Sequence, residues 1–174
     1  NAVSFTDSNN GSAVGFYGTI LRTTNGGTTW ISQTSGTSEF LYAVSFTDSN
    51  HGTAVGGNGT ILRTTNGGIT WTSQLSGYCL YDVTFTDVNN GTAVGGAGTI
   101  IRTTNGGIDW TLQTSGIFTG SLYGVSFTDT NNGTAVGVKS EGFISNEMIL
   151  RTTNGGATWI PQTSGTNNWL TAVS

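Results

Sequence analysis

The sequence predicts an all-β chain made of four copies of one small four-stranded antiparallel unit. Three observations carry that reading. Thr-Thr-Asn-Gly-Gly, then two residues, then Trp, occurs four times, at Thr23 to Trp30, Thr64 to Trp71, Thr103 to Trp110 and Thr152 to Trp159. Phe5, Phe46, Phe85 and Phe127 mark a second repeated position, and a period of about forty residues is the signature of a repeat architecture. Within each period, short β-type runs are bounded by Gly and Asn, and no segment shows helical spacing with caps.

The second period shows the unit most plainly. Its strands are expected at Ala43 to Thr47, Thr53 to Gly56, Thr60 to Thr64 and Trp71 to Gln74. Their near-continuous apolar character suits sheets covered on both faces. Four strands in about forty residues is the size of a β-propeller blade, so the fold expected is a β-propeller or propeller-like array. It divides into repeats 1–42, 43–81, 82–123 and 124–171, with 172–174 beginning a fifth.

The Asn-Gly-Gly turn tolerates positive φ, and the Trp beyond it is a large group for burial. Thr23-x-Asn25-x-Gly27 with Trp30 resembles the Asp-box of BNR-type β-propellers, and so do Thr64, Asn66, Gly68 and Trp71. Thr103, Asn105, Gly107 and Trp110 repeat the pattern, as do Thr152, Asn154, Gly156 and Trp159. Asn stands where that motif has Asp in all four copies. The wider repeat, Val44-Ser-Phe-Thr-Asp48 through Gly52-Thr-Ala-Val-Gly56 to Gly59-Thr-Ile-Leu-Arg-Thr-Thr-Asn-Gly-Gly68, is similar to that of the photosystem II stability/assembly-factor-like propellers and of related secreted bacterial surface proteins. The resemblance implies a propeller with structural Asp-box turns. Function does not follow from it, because propellers host unrelated activities.

Composition narrows the classes. With 28 Gly, 34% hydrophobic and 8% charged residues, the chain has a spaced apolar core pattern that disordered segments lack. A net charge of -4, from five basic and nine acidic residues, excludes a nucleic-acid footprint. No apolar run approaches the roughly 18 residues of a membrane span. Cys79, the single cysteine, has no internal disulfide partner and reads as a small buried or half-buried thiol.

Connections differ in regularity. The turn after the first strand is nearly invariant, Thr-Asp-x-Asn-x-Gly at Thr6 to Gly11, Thr47 to Gly52, Thr86 to Gly91 and Thr128 to Gly133. The second-to-third connection changes at every repeat and swells to a loop from Val138 to Met148; the connection between repeats varies too. In an up-and-down blade these two lie on one face, where loops carry recognition. The ligand-binding candidates there are Phe16, Tyr17, Phe40, Tyr78, Phe118, Lys139, Glu141, Phe143 and Trp169. Rings mixed with Asn, Ser and Thr suit a protein or glycan surface, or else fold inward to close the loops. Tyr42, Tyr81 and Tyr123, which lead into the first strand of successive repeats, are expected to pack.

Arg22, Arg63, Arg102 and Arg151 recur in the third strand and Asp7, Asp48, Asp87 and Asp129 at the end of the first, so both sets read as structural. No dedicated carboxylate pair is left for glycoside hydrolysis. His51, the single histidine, replaces a turn Asn, as a residue tolerating left-handed φ; no metal site and no cofactor are expected. The expectation is a non-catalytic extracytoplasmic module for recognition or for surface or fibre architecture, extracellular or at the cell surface. Its rival is an assembly-factor-like propeller docking on a membrane-protein complex such as photosystem II, in the periplasm or thylakoid lumen. Because Trp169 to Ser174 repeats the first strand, the chain is expected to be part of a longer repeat array, or next a head-to-tail assembly, or last a closed four-bladed monomer.

Overall fold

The computed structural model describes residues 1–117, 119–141, 144–166 and 168–174, with the side chains of 141, 144 and 145 left out. Among the described residues sixteen strands form four antiparallel sheets, each in simple sequence order. The first holds β1 (Ala2–Phe5), β2 (Gly11–Val14), β3 (Ile20–Thr23) and β4 (Ile31–Gln33); the second holds β5 (Leu41–Phe46), β6 (Gly52–Gly56), β7 (Thr60–Thr64) and β8 (Thr72–Leu75). In the third are β9 (Leu80–Phe85), β10 (Gly91–Gly95), β11 (Ile100–Thr103) and β12 (Thr111–Gln113), and in the fourth β13 (Gly120–Phe127), β14 (Gly133–Glu141), β15 (Ile144–Thr152) and β16 (Ile160–Gln162). The inner strands β1, β5, β9 and β13 touch in that order. Among the described residues, no strand of the first sheet makes an extended contact with the fourth.

The core lies between blades. Val14 and Ile20 of the first sheet meet Leu41, Val44, Ala54 and Leu62 of the second. Val55 and Ile61 then meet Val83, Ala93 and Ile101, and Val94 and Ile100 meet Val125, Ala135 and Leu150. Central strands β6 and β10 are buried on both faces along their length, which is why they read as continuous apolar runs. Inside each blade a Phe ring lies on a glycine: a Cβ at Gly52 would stand 2.5 Å from the Phe46 ring. The same Phe meets the repeat's Trp edge to face, as in Phe46–Trp71 at 6.0 Å.

Every Asn-Gly-Gly turn is held in one way. Thr23 Oγ1 accepts the N–H groups of Asn25 and Gly27 and donates to Asn25 Oδ1, while Asn25 Oδ1 accepts from the Thr29 N–H at 2.9 Å. Asn25 Nδ2 also donates to Thr29 Oγ1, and Asn105 Nδ2 donates to the Asp109 carboxylate. A carboxylate at 105 would repel Asp109, so the amide serves this turn better.

Arginine joins the blades. Arg22 Nη1 donates to the Gly67 carbonyl at 2.5 Å, Arg63 Nε to that of Gly106 and Arg102 Nη1 to that of Gly155. Each arginine therefore reaches the turn of the next blade. The recurrent aspartates cap their own turns, Asp7 Oδ1 accepting the Asn9 and Asn10 N–H groups at 2.7 and 2.8 Å. His51 is not left-handed; its Nδ1 sits 2.9 Å from Asp48 Oδ2, where the turn Asn has its amide.

Four expectations need correction. The inner strands begin at Leu41, Leu80 and Gly120 rather than at Ala43 and its counterparts, because a bulge at Tyr42, Tyr81 and Tyr123 lets pairing continue past it. The loop expected from Val138 to Met148 is strand over residues 138–141 and 144–148: β14 and β15 extend and pair Val138 with Glu147 and Lys139 with Asn146, and burial of Val138 and Met148 holds the extension; residues 142 and 143 lie outside the described residues. Leu170 to Ser174 forms no ladder, because among the described residues no strand pairs with it, although Ala172 lies against Gly124. Finally, Trp30 is 37% exposed against 7% for Trp159, because among the described residues no blade covers that side of the first sheet.

Candidate functional site

Both variable connections lie on one face and are tied together. Gly18 N–H donates to the Glu39 carbonyl at 2.8 Å, Gly57 N–H to that of Phe40 at 2.8 Å and Gly96 N–H to that of Cys79 at 3.0 Å. The second-to-third turns place two successive residues at positive φ: Tyr17 and Gly18, Asn58 and Gly59, Ala97 and Gly98. That is the backbone of a tight hairpin whose twist matches its strands. Asn and Gly adopt it readily, but Tyr17, at φ 54, holds a bulky side chain in a region such residues avoid.

Tyr17 caps a cluster of rings. Its ring meets Phe40 edge-on at 5.2 Å, and Phe16 meets Phe40 at 4.8 Å. Beside them opens a hollow of ≈ 700 Å³ lined by Tyr17, Ser38, Glu39, Phe40, Tyr42, Gly57, Asn58, Gly77 and Cys79. From Tyr42 a ladder crosses the inner strands to Tyr81 at 5.8 Å and Tyr123 at 5.5 Å. Each rung is the bulged residue of its strand, and bulges re-aim side chains. Burial, with the neighbouring Cys79, pushes the Tyr81 hydroxyl above its ordinary range.

Phe16, Tyr17 and Phe40 are thus brought together. Tyr78 lines a separate cleft of ≈ 400 Å³ between the second and third sheets, with Gln74, Leu75, Ile108 and Trp110. Exposed Trp169 and Lys139 on the fourth-sheet hairpin line neither opening. Phe118 and Phe143 lie outside the described residues, as does the side chain of Glu141. The tyrosine ladder and Glu39 were not among the sequence candidates. One Tyr per repeat signalled packing, and only the bulge turns those rings into a row.

Among the described residues, no group of three or more His, Cys, Asp and Glu side chains gathers at metal-binding spacing. No helix among them is long and apolar enough to cross a membrane.

Four-stranded blades succeeding one another through their inner strands, with a ring-lined hollow on the loop face, define a β-propeller array. No protein-family model and no curated protein matches the chain. Solved structures do. YCF48 bound to a D1 peptide superposes with a TM-score of 0.74 at 24% identity, over 98% of this chain and 56% of that one. YCF48 from Cyanidioschyzon merolae gives 0.73 at 26%, over 98% and 58%. The GH74 enzyme of Niastella koreensis gives 0.71 at 21%, over 92% and 28%. The chain spans little more than half the length of the YCF48 structures it matches, and a smaller share of the GH74 enzyme.

Proposed function

We propose that the chain is a non-catalytic recognition module whose loop face takes an extended stretch of a protein partner. The carrying observation is the hollow lined by Tyr17 and Phe40, with Phe16 packed on Phe40, and continued from Tyr42 by the tyrosine ladder. Exposed rings around a concavity are what binding hot spots use. Backbone strain at Tyr17 places a ring where Asn58 or Gly would fold more readily, which suggests that the ring is kept for contact. Glu39 is the one carboxylate among the residues lining the hollow, whereas glycoside hydrolysis needs two. Its charge, within a chain of net charge -4, suits a segment carrying Lys or Arg, which aromatic faces also attract.

A YCF48 structure of the same fold holds a D1 peptide, and this favours a peptide over a sugar as the first occupant to test. An extracytoplasmic location accords with a chain poor in Lys and rich in Asn, Thr and Ser. The assembly-factor role, in the thylakoid lumen or periplasm, is the narrower form of the same reading.

Arrays of Lys/Arg-containing peptides and of glycans, probed with wild type, Tyr17→Ala and Phe40→Ala, test the proposal. Peptide binding should fall about tenfold or more in either variant, the effect of removing an aromatic hot spot worth about 2 kcal/mol, with melting little changed. Binding confined to glycans, or peptide binding indifferent to both substitutions, would refute it.

A further inference from the structure

Departures from the repeat gather at the junction of the second and third blades. Leu75 stands where the other blades have Thr34, Thr114 and Thr163, Leu112 where they have Ser32, Ser73 and Pro161, and Asp109 where they have Thr29, Thr70 and Thr158. All three line the cleft of ≈ 400 Å³ between these two sheets, with Tyr78 and Ile108. A residue present in every blade serves what every blade needs; these three leave that pattern at one place.

Folding of the blades does not account for them. Leu75 is 76%, Ile108 57% and Leu112 56% exposed, whereas Ile61 and Ile101, which line the same cleft, are buried. The walls are tied to each other: Gln74 Nε2 donates to the Ile108 carbonyl of the next blade at 3.0 Å, while Gln33 and Gln113 donate within their own strands. Against the cleft lies β8, the outermost strand of its sheet, four residues long where β4, β12 and β16 have three. Among the described residues no strand pairs with its outer edge, and such an edge is a template for another strand. Asp109 is the one carboxylate lining the cleft, and no lining residue is basic. Arg63, which runs between the same blades, is held by the Gly106 carbonyl. A second copy of this chain is a poor occupant, because it is itself acidic and Arg22, Arg63 and Arg102, three of its five basic residues, are bound to neighbouring turns.

We infer that this cleft is a docking site for an extended segment of a protein partner, which adds a strand to β8, sets apolar side chains against Leu75, Ile108 and Leu112, and brings a Lys or Arg to Asp109. Main-chain bonds to a sheet edge give affinity, and the side-chain contacts beside it give sequence preference. The site is distinct from the hollow at Tyr17 and Phe40. The connection from Ser76 to Cys79 runs between the two, Ser76 and Tyr78 lining the cleft and Gly77 and Cys79 the hollow.

Short synthetic peptides that alternate Val or Leu with Thr, and carry Lys or Glu at each position in turn, are the probe. Their binding is measured to wild type, to Leu75→Thr with Leu112→Ser, to Asp109→Thr and to Tyr17→Ala. The cleft substitutions install what other blades hold at the same places, and Thr70 closes its turn as Asp109 does, accepting from Asn66 Nδ2 at 2.9 Å, so circular dichroism and melting should stay as in wild type. Wild type should prefer a Lys peptide to its Glu counterpart. The double variant should bind that peptide about tenfold more weakly or worse, Asp109→Thr should lose the preference for Lys, and Tyr17→Ala should change neither. Methylating alternate amide nitrogens along one edge of the peptide should abolish binding, and methylating the other set should spare it, as strand addition requires. Wild type that binds none of the peptides overturns the inference, as does a Glu peptide bound as tightly as the Lys peptide or equal loss from both methylated sets. Binding weakened by Tyr17→Ala and not by the double variant also overturns it, while leaving the reading of the hollow in place.

Discussion

Tyr17 holds a large ring on a backbone conformation that disfavours it. Its backbone, at φ 54, matches those of Asn58 at 51 and Ala97 at 53, so the hairpin and not the residue sets the conformation. Asn is the side chain this turn tolerates, and an ordinary residue held there costs on the order of 1 kcal/mol. Tyr17→Asn should therefore raise the unfolding free energy by about that amount while weakening any ligand bound at the hollow. Urea denaturation alongside the peptide titration reads both. A variant no more stable than wild type would mean that packing of the ring on Phe40 offsets the strain.

At the scale of the blade, identical sequence does not give identical burial. The four repeat Trp follow the same turn, yet Trp159 is buried, Trp71 and Trp110 are half-buried, and Trp30 is 37% exposed. Trp159→Ala should cost about 3–5 kcal/mol, as large core truncations do, and Trp30→Ala less, because more of its ring already meets water. Equal losses at the two positions would show that the anchoring is internal to the turn. The same contrast explains what was legible beforehand. Strands, turns and period were readable because Val, Ile, Gly and Asn report local geometry. Relations between blades were not: Arg22 meets Gly67 across 45 residues, the bulges at Tyr42, Tyr81 and Tyr123 arise from pairing register, and the Val138 to Met148 insertion looked like a loop because it breaks the repeat. Of the site, Phe16, Tyr17 and Phe40 were marked by standing outside the repeat, whereas Glu39 and the tyrosine ladder carried no such mark.

Across the whole molecule five aspartates depart from the ordinary carboxyl value, four downward and one upward. Asp7, Asp87 and Asp129 sit below their ordinary value of 3.8, chiefly through the amides of Asn10, Asn90 and Asn132 and then through turn N–H groups. Asp82 sits above it, because burial between the third and fourth sheets outweighs the N–H groups of Val125 and Val83. A lowered carboxyl contributes stability that is present above 3.8 and lost as pH falls through its folded value; a raised one contributes stability that is present below 3.8 and lost as pH rises through its folded value. On acidification from neutrality, protonation of Asp82 comes first and favours the fold, and the three turn caps are lost only further down. The melting temperature should therefore pass through a maximum in the mildly acid range, above 3.8. Asp82→Asn, which removes the charge but keeps one oxygen for the N–H groups, should flatten the neutral side of that curve and leave the acid side unchanged. A wild-type melting temperature that climbs steadily from acid to neutral, or an Asp82→Asn curve of unaltered shape, would show that the carboxylate between the blades is not what limits stability at neutral pH.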